Sequence, residues 1–469
     1  MILQQLEQRR VVLLGFGVEG QATYEFLRSR FPNKALGIAD RRPLADLEIT
    51  PQALSRLKSD GNVAAHCGEN YLDALEDYDV VVKTPGISKT NAALFAAVER
   101  GALLTSHTEI FFEMFDHRRI IAVTGTKGKS TTTSLAYKLA REGGLDVILG
   151  GNIGEPPLIH LDQATGNTVF VLELSSYQLE PLRRSPHIAV LLNIVPEHLD
   201  YHASFAEYAS AKEKITKFQN ESDFLVYNSD FPVPIEIAER GRARGVPFSV
   251  KRALDFGCYL EGDRIIFADG RAQKEILRTA DIPLIGAFNV QNVCGAVAAA
   301  AIAGASTEAM ADSVRSFKPL PHRLEYIGEY SGIRFYNDSI STVPESALSA
   351  LEALGAGVQT LILGGHERHL DYADFARGLL ASKVENLILF SPTGKRMWEA
   401  VESAAGTDEF KLTAFPVETM GEAVRLAFEH TKHGRICLLS PASPSYGKFK
   451  DYRERGDAFK KHVEEVGNR

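Results

Sequence analysis

Short, largely apolar runs punctuate the chain, and amphipathic stretches of helical spacing separate them. Val11–Leu14, Ala35–Ala39, Ile120–Val123, Val169–Leu172 and Ile188–Leu192 come first. Ile333–Tyr336, Thr360–Leu363, Leu387–Phe390 and Ile436–Leu439 follow nearer the C-terminus. Runs this short and this apolar suit strands covered on both faces. Their alternation with helices predicts α/β layers built on mainly parallel sheets. The Ala-rich stretch Val293–Ala305 reads as a buried helix, because a membrane span needs about 20 apolar residues.

The pattern restarts along the chain. A first region closes near Leu103-Leu104-Thr105, and a second opens at Ile120. The proline pair in Lys318-Pro319-Leu320-Pro321 looks like a linker to a third. The domains expected are therefore residues 1–113, 114–319 and 320–469.

Composition removes several function classes. A net charge of −8 argues against a nucleic-acid partner, which calls for a basic stripe. Cys67, Cys258, Cys294 and Cys437 lie far apart and show no metal or redox spacing, as in a reducing cytoplasm. The N-terminal stretch Met1–Arg10 lacks the apolar core of a signal peptide. A cytoplasmic protein with no membrane insertion is expected, and a monomer.

The most informative chemistry follows Ile120–Val123. The run breaks into Gly125-Thr126-Lys127-Gly128-Lys129-Ser130-Thr131 and then a helical pattern up to Gly143-Gly144. Strand, glycine loop, Lys-Ser and helix make a phosphate cradle. Backbone N–H groups and the helix N-terminus face the anion, Lys129 reaches the terminal phosphates, and the Ser130 hydroxyl can ligate Mg²⁺. The loop is a shortened form, because the usual first glycine falls on Val123.

A second glycine loop, Gly15-Phe16-Gly17-Val18-Glu19-Gly20, follows the strand Val11–Leu14 and fits the dinucleotide fingerprint. Asp40 stands where a ribose-binding acid belongs, Arg41 and Arg42 favour a phosphorylated ribose, and Lys83-Thr84-Pro85-Gly86-Ile87 adds a second turn. Alone, this would predict an NAD(P)-dependent oxidoreductase, but such an enzyme has no need of a separate ATP cradle. Polar residues also close other strands: Glu173-Leu-Ser-Ser176, Asn193 with Glu197-His198, Asn337-Asp338-Ser339, and Ser440-Pro-Ala-Ser443. In open α/β sheets ligands gather at such strand ends. Glu173 is placed to hold Mg²⁺ beside Ser130, and His198 is a candidate second ligand.

In order along the chain, Gly125–Thr131, Glu173-Leu-Ser-Ser-Tyr-Gln-Leu-Glu180, Glu197-His-Leu-Asp200, Ala211-Lys212, His322-Arg323, Asn337-Asp-Ser339 and Leu439-Ser-Pro-Ala442 resemble the motifs of the Mur ligase family. These are cytoplasmic ATP-dependent amino-acid ligases of peptidoglycan synthesis, and the resemblance covers essentially the whole chain. It implies an α/β fold of three domains: a Rossmann-like N-terminal domain, a central P-loop ATPase-type domain and a Rossmann-like C-terminal domain. Within the family the Leu-Ser-Ser-Tyr-Gln-Leu stretch and the tail Ser445–Gly456 point to the branch that adds glutamate to UDP-N-acetylmuramoyl-L-alanine. The implied chemistry is an acyl phosphate, made from ATP, that the glutamate amine attacks.

The resemblance also implies roles. Lys129 and Ser130 hold phosphate and a first Mg²⁺ shared with Glu173, His198 takes a second, and Lys212 is carbamylated. Asn289, Asn292, Arg323 and Asp338 complete the ATP site. Gly15, Gly17, Val18, Glu19, Asp40, Arg42, Thr84, Gly86 and Asn152 pass from NAD to the UDP substrate. Thr342, Arg368, Ser445 and Tyr452 surround the incoming glutamate. Two departures mark that end. Ile340 replaces the common lysine after Asn-Asp-Ser, and Gly364-Gly-His-Glu-Arg368 replaces Gly-Gly-x-Gly-Lys. Arginine grips a carboxylate differently from lysine. D-glutamate is the favoured amino acid, with L-glutamate the alternative. A folate-polyglutamate-type ligase would not explain the N-terminal glycine loop, and a nucleotide switch would need no acceptor cluster in a third domain.

Overall fold

The computed structural model describes residues 2–47, 49, 51–88, 90–197, 201–407 and 409–468. It contains three sheets. The first is parallel throughout, with strands β1 (Val11–Leu14), β2 (Leu36–Asp40), β3 (Val63–Cys67), β4 (Val80–Lys83) and β5 (Leu103–Thr105) in the order β3-β2-β1-β4-β5. The order reverses between β1 and β4, so the loops after these two strands flank a crevice.

The second sheet is built from β6 (Ile120–Thr124), β7 (Val147–Gly151), β8 (Val169–Glu173), β9 (Ile188–Leu191), β10 (Phe224–Asn228) and β11 (Arg244–Ser249). β12 (Phe256–Glu261), β13 (Arg264–Asp269) and β14 (Gln273–Arg278) extend it. The order is β14-β13-β12-β11-β10-β9-β6-β8-β7. β6 therefore lies between β8 and β9, all three parallel, and their carboxyl ends meet at one place. The antiparallel β12–β14 edge differs from the parallel pattern expected there. The turns after Glu261 and Asp269 are short enough for hairpins, and hairpins are antiparallel by necessity.

The third sheet has the order β15-β16-β20-β17-β18-β19. Its strands are β15 (Glu325–Tyr330), β16 (Ile333–Asn337), β17 (Val358–Gly364), β18 (Asn386–Phe390), β19 (Thr413–Val417) and β20 (Ile436–Leu439). Only β15 runs antiparallel. β1, β6, β17, β18 and β20 are buried at every position, which is why most of their length reads as apolar runs. Each such Leu, Ile or Val contributes roughly 1.5–3 kcal/mol by leaving water.

The chain forms two compact units, Met1–Asp281 with Val290–Phe317, and Ile282–Asn289 with Lys318–Arg469. The first holds the first two sheets and the second holds the third. The helix expected over Val293–Ala305 is Phe288–Ile302, ended by the left-handed Gly304 shortly beyond it.

Candidate active site

The phosphate loop leaves β6 and enters the helix Lys129–Glu142 through Gly128, whose φ of +87° favours glycine. A Cβ there would stand 2.2 Å from Asn292 Oδ1, so the loop and the helix Phe288–Ile302 approach closely for the same reason. No side chain caps the helix, which leaves its first N–H groups facing the loop as an anion-binding terminus. Lys129 Nζ donates to the carbonyls of Gly125 and Thr126 at 3.1 and 2.9 Å. Asn193, just beyond β9, accepts from the Lys127 N–H at 2.9 Å and returns a bond to its carbonyl. Lys127 pairs with Glu197 at 2.6 Å, and Thr126 meets the Tyr208 hydroxyl at 3.1 Å.

Lys212 enters the same loop from the helix Phe205–Lys217. Its Nζ donates to the Gly125 carbonyl at 2.7 Å and lies 4.7 Å from the Tyr208 ring centroid. Two lysine amines thus share one carbonyl oxygen. Burial, and then the charge of Lys129, hold the Lys212 amine well below its ordinary pKa, against the opposing pull of Glu197 and Glu173. Lys214 is the half-exposed neighbour and bonds the Leu182 carbonyl. Glu173 ends β8, almost wholly buried, and its Oε1 accepts from Asn152 Nδ2 at 2.6 Å. Its Oε2 is buried without a hydrogen-bond partner, an arrangement that suits a cation. Ser130 sits in the first turn of the helix beside it in sequence order after Lys129. His198, the expected second metal ligand, lies outside the described residues.

The crevice of the first sheet is a cleft of about 450 Å³ lined by Gly15, Gly17, Asp40, Arg42, Thr84 and Gly86 among others. Gly15 is left-handed at φ +89°, and a Cβ on Gly20 would meet the Gly15 carbonyl at 2.2 Å. Asp40 accepts from the Phe16 N–H at 2.8 Å and from the Arg42 N–H and Nε at 2.9 and 3.2 Å. Burial pushes the Asp40 carboxyl up, but Arg42 and the two backbone donors outweigh it and hold the pKa below the usual range. Val18 is exposed, and the Glu19 side chain turns to Gln178.

In the second unit, Asp338 follows β16 and is buried. It accepts from Ser341 Oγ, Ser440 Oγ and the Leu324 N–H at 2.5, 2.8 and 3.1 Å. Burial raises its carboxyl to about 6, against these donors and Arg323. Arg323 sits between two left-handed residues, His322 and Leu324 at φ +63° and +43°, a strain that surrounding bonds must maintain. Ser445 is buried, Tyr452 opens the last helix, Thr342 is half-buried, and Arg368 is exposed with His366. Asn289 bonds the Ile285 carbonyl at 2.7 Å and belongs to this unit, whereas Asn292 belongs to the first.

Sequence reasoning did not single out Tyr208 or Arg455. Tyr208 stands one helical turn before Lys212, so the spacing itself was a signal. Arg455 is buried and bonds Ser339 Oγ, the Ser339 carbonyl and the Ser443 carbonyl at 3.0, 2.8 and 2.9 Å. Burial lowers it to about 9.

Family models match nearly the whole length. Residues 9–106 match a Mur ligase MurD-like N-terminal domain, 123–300 a Mur ligase middle domain, and 322–443 a Mur ligase glutamate ligase domain. The UDP-N-acetylmuramoylalanine–D-glutamate ligase of Acetivibrio thermocellus is 34% identical, over 99% of this chain and 98% of its own length. The protein of that name from Symbiobacterium thermophilum is 36% identical, over 97% and 98%. Among solved structures, MurF from Acinetobacter baumannii superposes with a TM-score of 0.61 at 17% identity, covering 99% of this chain and 98% of its own. UDP-N-acetylmuramate–alanine ligase from Thermotoga maritima gives 0.60 at 17% identity, over 98% and 100%. At that identity the likeness shows a shared fold.

Proposed function

The chain belongs to the Mur ligase family, and from that premise we propose that it joins D-glutamate to UDP-N-acetylmuramoyl-L-alanine at the expense of ATP. It is an ATP-dependent acid–amino-acid ligase of peptidoglycan precursor synthesis, and so serves cell shape and division. The observation that carries the mechanism is the Gly125 carbonyl shared by Lys129 and Lys212.

Two ammonium groups on one acceptor repel, and burial decides which one gives up its proton. Lys129 remains the cation for the transferring phosphoryl group. Burial drives the Lys212 amine toward its neutral form, the form that combines with CO₂, releasing a proton and leaving a carbamate anion. That exchange turns a repelled cation into an anionic group facing the phosphate loop. Glu173 and Ser130 would hold one Mg²⁺ and the carbamate with His198 a second; Mg²⁺ neutralises charge on the phosphate oxygens.

The chain's own groups do the rest. The loop N–H groups and Lys129 align ATP, and the substrate carboxylate attacks the terminal phosphorus as ADP leaves. The glutamate amine then attacks the acyl carbon, phosphate departs, and the amine gives up a proton. The first-sheet cleft would take the UDP moiety, with Asp40 holding Arg42 and the loop in place, and Asn152 would orient the substrate end beside Glu173. Asn289, Asn292, Arg323 and Asp338 would complete the ATP site. Thr342, Arg368, Ser445 and Tyr452 would take the glutamate carboxylates, with Arg368 or His366 in place of the common lysine. Domain limits at 113/114 and 319/320, a monomer, and a cytoplasmic setting belong to the same proposal. No helix among the described residues is long and apolar enough to cross a membrane.

The test is direct. The purified protein is incubated with ATP, Mg²⁺, UDP-N-acetylmuramoyl-L-alanine and each glutamate enantiomer in separate reactions. Ligated product with one ADP and one phosphate is expected from D-glutamate alone. Product from L-glutamate alone would overturn the stereochemistry, and no product from either would overturn the function.

A further inference from the structure

Glu19 opens the helix Val18–Arg30, whose preceding loop lines the cleft of the first sheet. Its carboxylate does not stay in the first sheet. Oε1 accepts from Gln178 Nε2 at 2.6 Å, in the short helix Ser176–Leu179 that follows β8. Gln178 cannot turn its amide round, because its Oε1 already accepts from the Ser175 N–H and hydroxyl at 3.0 Å each. Ser175 Oγ in turn accepts from the Gln178 N–H at 3.3 Å, closing a capping box two residues beyond Glu173. The Gln178 amide is thereby held in one orientation between Glu19 and the turn that follows β8.

A second contact holds the same helix. Thr23 Oγ1 donates its one proton to the Glu19 carbonyl at 2.7 Å, so the His107 Nδ1 that lies 2.9 Å from it must be the donor of that pair. Burial keeps His107 neutral, with a pKa near 3, and its Nε2 accepts from the Leu158 N–H at 3.4 Å. Glu19 is half-buried, with its Oε2 screened from solvent. Burial raises its carboxyl, while Gln178 and the charge of Lys83 favour the anion.

We propose that Glu19 is a positioning residue for the ligation: through Gln178 it sets the distance between the loop that takes the UDP phosphates and the Glu173 end of β8. The assignment, which rests on the ligase reading above, gives the two ends of one substrate a common ruler. The diphosphate is held at β1 and the reacting carboxylate beside Glu173. Slack in the link would misplace the carboxylate without weakening either end's own grip, and small misplacements of reacting atoms are costly.

The test compares Glu19→Ala, Glu19→Gln, Gln178→Glu and the double variant Glu19→Gln with Gln178→Glu, by steady-state kinetics and thermal melting. Glu19→Ala removes the acceptor, and Gln178→Glu sets two carboxylates against each other. Each should lower kcat by about 10- to 100-fold, the range of a lost charged hydrogen bond, with KM for ATP within about twofold of wild type. Glu19→Gln keeps an acceptor oxygen but loses the charge, and its kcat should fall between those of wild type and Glu19→Ala. In the double variant the new amide donates to the new carboxylate, so kcat should recover. No recovery in the double variant would overturn the proposal. So would a rise in KM for the UDP substrate alone, which marks a plain ligand contact, or a lower melting temperature with unchanged kinetics, which marks a plain structural one. Failure of the wild-type chain to ligate would instead sink the ligase reading, and this assignment with it.

Discussion

Lys212 shows how much one side chain's surroundings decide. A lysine in water is almost wholly cationic, with a pKa of about 10.4, and the ammonium form cannot combine with CO₂. Here burial and Lys129 lower the amine's pKa, and the pull of Glu197 and Glu173 does not offset them. The expected consequence is a dependence of activity on dissolved CO₂. Stripping it from enzyme and buffer should lower the rate, and bicarbonate should restore it, most visibly toward low pH where protonation competes with the reaction. Lys212→Ala should be nearly inactive at any bicarbonate level and partly rescued by a small carboxylate such as formate. A wild-type rate indifferent to CO₂, together with the mass of an unmodified lysine, would remove the carbamate. The sequence alone marked Lys212 only by its resemblance, because nothing in Ser-Ala-Lys-Glu-Lys tells a buried lysine from the half-exposed one two residues on.

At the scale of elements, the carboxyl ends of β16, β20 and β17 form one polar floor, and Asp338 is its most costly member. Its pKa of about 6 lies above an unfolded value near 3.9, so the folded state favours the protonated acid. The stability this contributes is complete below about pH 3.9 and is lost as pH rises through 6. Melting temperatures of wild type and Asp338→Asn should therefore diverge between pH 4 and pH 7, with the variant gaining on the wild type. A pH-independent difference would mean that Asp338 is ionised throughout. Most strands of this floor were legible, because a parallel strand buried on both faces is apolar along most of its length. Arg455 was not legible. Its three acceptors come from two distant loops, and a charged residue in a tail of alternating charges reads as solvated surface. The β12–β14 edge was missed for a related reason: short strands with polar ends, the last of them half-exposed, give a weak periodic signal. Gly128 was legible as a loop glycine ahead of a helix, but only the fold shows that Asn292 crowds it.

The molecule as a whole consists of two compact units, each with its own buried core, and the chain passes from one to the other more than once. Separate cores predict separate cooperative transitions. Calorimetry should resolve two, and UDP-N-acetylmuramoyl-L-alanine should raise only the one belonging to the first unit, which contains the cleft lined by Gly15 and Thr84. At a concentration roughly 100-fold above its dissociation constant, the ligand adds about 2.7 kcal/mol to that unit. A single transition that shifts as one body would contradict the division. The largest sheet carries a further consequence, for life in a crowded cell. A sheet of nine strands leaves two open edges, and β14 is one of them. Its outward residues include Gln273, Glu275 and Arg278, all exposed, with Lys274 beside them. A strand from another chain pairing there would have to bury those charges, which is how proteins discourage edge-to-edge aggregation. The hairpins that break the parallel pattern thus give a long sheet an ending that other chains cannot extend.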